Sequence, residues 1–161
     1  MNRTCKRSIR LSLSLALMLL FHLSAVAAEC VIGSTENTTQ YLPLAPAKEY
    51  VYSEIIYDAE SLSSISTGST IQKIGFQGAT TEAGAVEEFD LYIANSSRSQ
   101  APSEHSDLSA MQHVYSGALT LDKFDGMGTV FEVAFDEEFT YSGGSLHLVA
   151  IAKMVTGTCY F

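Results

Sequence analysis

The chain has 161 residues, 47% of them hydrophobic, and 9 Lys+Arg against 18 Asp+Glu give it a formal charge of −9. That balance argues against nucleic acid and anionic lipid as partners, because both are met by basic surfaces. The charge is also unevenly placed: Arg3, Lys6, Arg7 and Arg10 crowd the start of the chain, where no acidic residue occurs.

This basic start reads as the n-region of a secretory signal over residues 1–28. An apolar run from Leu11 to Leu23 comes next, interrupted by Ser12, Ser14 and His22, and then the small-residue stretch Ser24-Ala25-Val26-Ala27-Ala28 before Glu29. A basic n-region, a short apolar core and small residues at the cut define an export signal. The run is about 13 residues, too short for a spanning helix, which needs roughly 20. Lipid attachment at Cys30 is disfavoured because Glu29, not a small residue, precedes it. Cleavage removes four basic and no acidic residues, leaving five against 18 and a formal charge of −13. The mature part, residues 29–161, is long enough for one domain with a full core, and no second apolar run predicts a transmembrane segment. The expected location is secreted, periplasmic or cell-surface.

Cys30 and Cys159 are the two cysteines of the mature part. In an oxidising compartment such a pair is a candidate disulfide. It would close a loop of about 130 residues, worth roughly 4 kcal/mol in the chain-entropy picture. Two free thiols are the alternative, since spacing does not show that the termini meet. The sequons at Asn37 and Asn95 matter only in a glycosylating eukaryotic host.

Past residue 30 the pattern is strands and turns. Tyr50–Tyr57 is rich in aromatic and β-branched residues. Ser61–Ser69 is a turn region, Thr70–Gln77 a second strand, and Gly78–Gly84 a break. Val86–Ala94 alternates, with Phe89, Leu91 and Ile93 on one face and Glu88, Asp90 and Tyr92 on the other. Asn95–Ala110 is a long polar loop with Pro102 and room for one short helical turn. Gln112–Leu121 is a strand with Gly117 as an expected bulge. Asp122–Gly128 reads as a turn and Thr129–Phe135 as a strand with Phe131, Val133 and Phe135 inward. Asp136-Glu137-Glu138 is an acidic turn before Phe139-Thr140-Tyr141, and Ser142-Gly143-Gly144 is a hairpin signal. Ser145–Ala152 is apolar enough for a central strand, and Thr156–Phe161 ends the chain as a short one. Seven or eight short strands, roughly 10–15 residues apart and without an amphipathic helix, predict an all-β antiparallel sandwich in one domain.

Several residue groups are candidates for function. Ser103-Glu104-His105-Ser106-Asp107 holds the residue types of a hydrolase, but adjacent residues do not make a triad and no G-x-S-x-G elbow is present. No catalytic residue is assigned, and an enzyme is not expected. His113 and His147 lack metal-ligand spacing, and His147 alternates with Leu146 and Leu148, as a solvent-facing or hydrogen-bonded histidine would. Asp122, Asp125, Asp136, Glu137 and Glu138 offer hard oxygen ligands for calcium, although Asp122-Lys123-Phe124-Asp125-Gly126 is not an EF-hand loop and a solvated turn is the plainer reading. No other cofactor is expected. Tyr92, Tyr115 and Tyr141 are candidates for a ligand platform, with packing on the sheet as the alternative.

The strand blocks also resemble a family. Tyr50-Val51-Tyr52-Ser53, Ile55-Ile56-Tyr57 and Ile71-x-x-Ile74-x-Phe76 look like the opening of jelly-roll modules in secreted and surface proteins of Bacteroidota. The likeness continues through Phe89-Asp90-Leu91-Tyr92-Ile93-Ala94 and Val114-Tyr115-Ser116-Gly117. It ends with Phe139-x-Tyr141-x-Gly143-Gly144 and Leu146-x-Leu148-Val149-Ala150-Ile151, so its order and spacing run over residues 50–151. The family has Asn where this chain has Ser145, and its modules continue with strands beyond the position of Phe161. The resemblance therefore implies a jelly-roll-like sandwich that lacks the final strands, either through truncation or as a short form closed by its tail and cysteine pair. An open sheet edge would invite strand addition. It implies a non-enzymatic surface, adhesion or carbohydrate-binding-like module, met by an extracellular protein or glycan. A pilin-like subunit completed by strand addition, or an accessory domain of a secreted hydrolase, are the alternatives.

Overall fold

The computed structural model describes residues 28–33, 43–45 and 48–161, with the backbone alone at residues 124, 125, 154, 159 and 160. The export signal expected over residues 1–28 thus falls outside the described residues except at its last position. Residues Val31–Phe161 form one compact unit. Among the described residues no helix is long and apolar enough to cross a membrane.

Among the described residues seven strands build the fold: β1 (Tyr50–Tyr57), β2 (Thr70–Glu82), β3 (Gly84–Ser96), β4 (Gln112–Leu121), β5 (Phe124–Thr140), β6 (Ser145–Val155) and β7 (Thr158–Tyr160). They form a four-stranded sheet, β1-β6-β3-β4, and a three-stranded sheet, β5-β2-β7. All pairings are antiparallel. The pairs are nested: β1 with β6, β2 with β5, β3 with β4. A long hairpin wrapped on itself produces this order, which is the wrapping of a jelly roll with fewer strands. The all-β sandwich expected from the sequence is therefore present.

Alternation decides which side chains face the core. Val51, Phe89, Leu91, Ile93, Leu146, Leu148, Ala150 and Ala152 of the larger sheet and Phe76, Phe131, Val133 and Phe139 of the smaller one are buried between the layers. Their centre is aromatic. Phe76 and Phe131 stack at 5.0 Å, Phe89 meets Phe131 edge-on at 5.4 Å, and Phe161 lies edge-on to both Phe76 and Phe131. A slip in phase explains how Val86 and Phe89, three apart, both point inward. Between the pairs Val86–Leu119 and Phe89–Gly117, β3 has one residue more than β4. The bulge expected at Gly117 is thus beside it, with the extra residue on β3.

Four expected boundaries are corrected. The break at Gly78–Gly84 is confined to Ala83, and β2 runs on to Glu82. The turn at Asp122–Gly128 shrinks to Asp122-Lys123, because β5 starts at Phe124. Asp136-Glu137-Glu138 is not a turn. It lies inside β5, where the register jumps from Lys73–Ala134 to Ile71–Phe139 and four residues of β5 face Gln72 alone. Ser142-Gly143-Gly144 is not a hairpin, because β5 and β6 belong to different sheets. It is an arch whose Gly143 and Gly144 have φ of 93° and 81°. Asn95 holds the arch by donating from Nδ2 to the Thr140 carbonyl and accepting from the Ser142 amide.

The β2–β3 corner leans on the β6–β7 corner. An added Cβ at Gly84 would lie 2.1 Å from the Thr156 carbonyl oxygen. Thr156 seals the contact: its amide donates to the Ala85 carbonyl and its hydroxyl accepts from the Ala85 amide. Two outcomes are expected in chemical denaturation. Phe131→Ala lowers stability by about 3–5 kcal/mol, the range for a large aromatic removed from a packed core. Gly84→Ala lowers it by roughly 1–3 kcal/mol or more, because backbone and not a flexible side chain must move.

Candidate functional site

Most connections cross between the sheets. Only the one from β3 to β4 joins neighbours in a single sheet, so its long loop, residues 97–111, is free to fold over the outer face. Four cross-strand rows make up the face beneath. In register order they are Tyr50–Lys153–Glu88, Tyr52–Ile151–Asp90, Glu54–Val149–Tyr92 and Ile56–His147–Ala94. The covered part has its own small interior. Val149 is 0% exposed yet does not belong to the hydrophobic cluster between the sheets.

Glu54 sits at the centre of the covered part. Its Oε1 accepts from the Tyr52 hydroxyl at 2.7 Å and from the Ser106 amide at 2.7 Å. Its Oε2 accepts from the Ser106 hydroxyl at 3.1 Å and lies 3.2 Å from His147 Nε2. The Glu54 and His147 side chains are each only 8% exposed. An ionised carboxylate has about four acceptor positions and no proton to give, so here His147 donates and the carboxylate is saturated. Burial pushes the Glu54 carboxyl up, but the donors from Tyr52, Ser106 and His147 outweigh it and hold it below its usual range. The reverse holds for Tyr52. Burial, then the bond to the Glu54 carboxylate and its charge, push the phenol up to about 12.

Two ring pairs flank this centre. His105 lies on Tyr52 with ring centroids 4.0 Å apart and planes at 18°. Across the sheet Tyr92 stacks on His113 at 4.5 Å and 24°, and His113 Nε2 contacts Asp90 at 3.0 Å. The loop also lines an open, mainly polar hollow of about 440 Å3 with Arg98 and residues 102–107. At the loop's far end Asp107 caps the 3₁₀ turn Leu108–Ala110 by accepting from the Ser109 amide and hydroxyl.

The structure separates the sequence-derived candidates. Tyr92 is on the outer face. Tyr115 packs against the core beside Phe89, with its hydroxyl on the Ala118 carbonyl. Tyr141 is 3% exposed and donates to the Gly144 carbonyl at 2.6 Å. These three tyrosines therefore form no common surface; Tyr52 and the exposed Tyr50 share the outer face with Tyr92 instead. Asp122 is exposed at the β4–β5 turn, and Asp136, Glu137 and Glu138 are exposed along β5. The Asp125 side chain lies outside the described residues. Among those described, no three His, Cys, Asp or Glu side chains are grouped to hold a metal ion. The candidate Cys30–Cys159 bond depends on the Cys159 side chain, also outside them. Ser106 and Asp107 are committed to Glu54 and to the helical turn rather than to His105. His147 is a hydrogen-bonded histidine. Its partner is 93 residues away, so no local pattern announces the pair; the polar Glu54 within an apolar strand is the one trace.

No protein-family model, no curated protein and no solved structure matches this chain.

The site makes a spectroscopic prediction. In an alkaline titration followed by phenolate absorbance, one tyrosine ionises at about 12, later than the ordinary value near 10. Tyr52→Phe removes that component of the late titration and leaves that of Tyr57, whose phenol burial also raises. The raised value means that the folded state favours the neutral phenol. Stability from this group is complete below about pH 10 and is lost as pH rises toward about 12.

Proposed function

We propose that the chain is an exported, non-enzymatic binding module that holds a neutral glycan against the outer face of its four-stranded sheet. The observation that carries the reading is the pair of ring stacks, Tyr52–His105 and Tyr92–His113, on one face beside the loop hollow. Flat rings present an apolar body with polar edges, suited to the C–H face and hydroxyl rim of a sugar. Asp90, Glu88 and Lys153 border the rings and offer further hydrogen bonds. The acidic balance of the chain disfavours an anionic glycan. A non-enzymatic role is supported by the state of the central acid, since a saturated carboxylate is poorly placed to take a proton from substrate. The resemblance to jelly-roll surface modules and the export segment point the same way, and a Cys30–Cys159 bond would suit an exported domain.

The test is a glycan array probed with residues 29–161. We expect retention of at least one neutral oligosaccharide, with Tyr92→Ala and His105→Ala each weakening it about tenfold, which corresponds to about 1.4 kcal/mol and lies within the range for one aromatic contact. Binding that survives both substitutions would sink the platform.

A second reading is assembly by strand addition. On one edge β2 pairs with β5 from Thr70 to Thr80, but on the other β7 meets only Ala79, Thr80 and Glu82 among the described residues. The remaining edge carries backbone donors and acceptors that another strand could use. This pilin-like reading requires concentration-dependent oligomers in light scattering; a monomer at all concentrations contradicts it.

A further inference from the structure

We propose that Glu54 is the latch of the ligand platform: its ionised carboxylate pins the 97–111 loop onto the outer face of the four-stranded sheet, and protonation releases the loop. The inference rests on the glycan-binding reading for its purpose but not for its chemistry.

The loop's long-range polar tie to β1 is concentrated on this one side chain. Ser106 gives Glu54 both its amide and its hydroxyl, across 52 residues of sequence. His105, next in the chain, is thereby laid on Tyr52, which donates to the same carboxylate. One acid therefore fixes both members of a ring pair. Every group bonded to it acts as a donor, and three elements supply them. Tyr52 comes from its own strand and His147 from β6. Ser106 comes from the loop, flanked by Glu104, His105 and Asp107. Tyr92 lies in the same cross-strand row on β3, beside Asp90 and His113. Neither Lys nor Arg is among its hydrogen-bond or ion-pair partners in the described residues.

A carboxylate can satisfy four donors, whereas a carboxylic acid cannot. Protonation turns one oxygen into a hydroxyl that must itself donate, and the lone pairs it meets belong to the Tyr52 and Ser106 hydroxyls and the His147 ring, each of which must then turn its own proton away from the acid. At least one of Tyr52, Ser106 and His147 then loses its acceptor in a buried place, which favours an opened loop with its amide in water. The direction in pH comes from the carboxyl being held below its ordinary range. The closed state has its full advantage above about pH 4.3, the free glutamate value, and loses it as pH falls through the lower value of the closed state.

Arg98 supplies a ligand-free reporter, since it stands exposed in the loop and trypsin cuts after it when the chain opens. In residues 29–161 at neutral pH, Glu54→Gln, which imitates the protonated acid, raises the rate of cleavage after Arg98 about tenfold or more, in proportion to the open population. Ser106→Pro, which removes both loop donors without touching the sheet, does the same if Glu54→Gln fails to fold. Glu54→Asp, charged but shorter, falls between. In the unmodified domain the Ser106 amide resonance titrates below about pH 4.3, and exchange of the 97–111 amides rises through the same midpoint. An unchanged cleavage rate in the folded variants, or a Ser106 amide that does not titrate, overturns the latch. Cellohexaose and chitohexaose are the probes for its purpose: binding of either should weaken through that midpoint. If neither binds while the loop responds as described, the glycan reading fails and the latch stands.

Discussion

A strand buried in the middle of a sheet must find partners for its backbone on both edges, and β6 does so along nearly all its length. Ser145–Val155 pairs with Tyr50–Tyr57 on one side and with Val86–Ser96 on the other. This double registration joins the start, middle and end of the strand order. Because side chains alternate with period two, it fixes both faces at once. Leu146, Leu148, Ala150 and Ala152 enter the core, so His147, Val149, Ile151 and Lys153 must face outward. A slip of one residue would exchange the two sets and bury His147 and Lys153 among phenylalanines, which is too costly to occur.

The outer face inherits its chemistry from that registration. Glu54 comes within reach of His147 because β1 and β6 are neighbours, and Val149 is placed between Glu54 and Tyr92. The loop from β3 then finds an acid that needs donors and offers Ser106. Burial of a charge is tolerated here because every acceptor position is filled. The Glu54 carboxylate has its acceptor positions occupied by Tyr52, Ser106 and His147, and this ties the loop to the sheet.

The two aromatic systems divide the work. Phe76, Phe89, Phe131 and Phe161 meet between the sheets and close the core with carbon alone. Tyr52, Tyr92, His105 and His113 lie outside it and carry polar atoms at their edges. Tyr115 and Tyr141 belong with the first group by position and satisfy their hydroxyls on nearby carbonyls. Residue type alone does not separate these roles; the face of the strand does.

Local pattern was enough to determine the strand class, the inward faces of β3 and β5 and the polar loop between β3 and β4, because alternation is a property of neighbours in sequence. It misplaced Asp136–Glu138 and Ser142–Gly144. An acidic run inside a strand and an arch between sheets use the same residue types as turns do, and only the pairing partners tell them apart. The sequence by itself also determined the basic, apolar and small-residue order of the first 28 residues and the acidic balance of residues 29–161. The nested strand order, the fate of each tyrosine and the meeting of Glu54, Ser106 and His147 were decided by the tertiary structure alone. Their contacts span 52 and 93 residues, and no periodicity reaches that far.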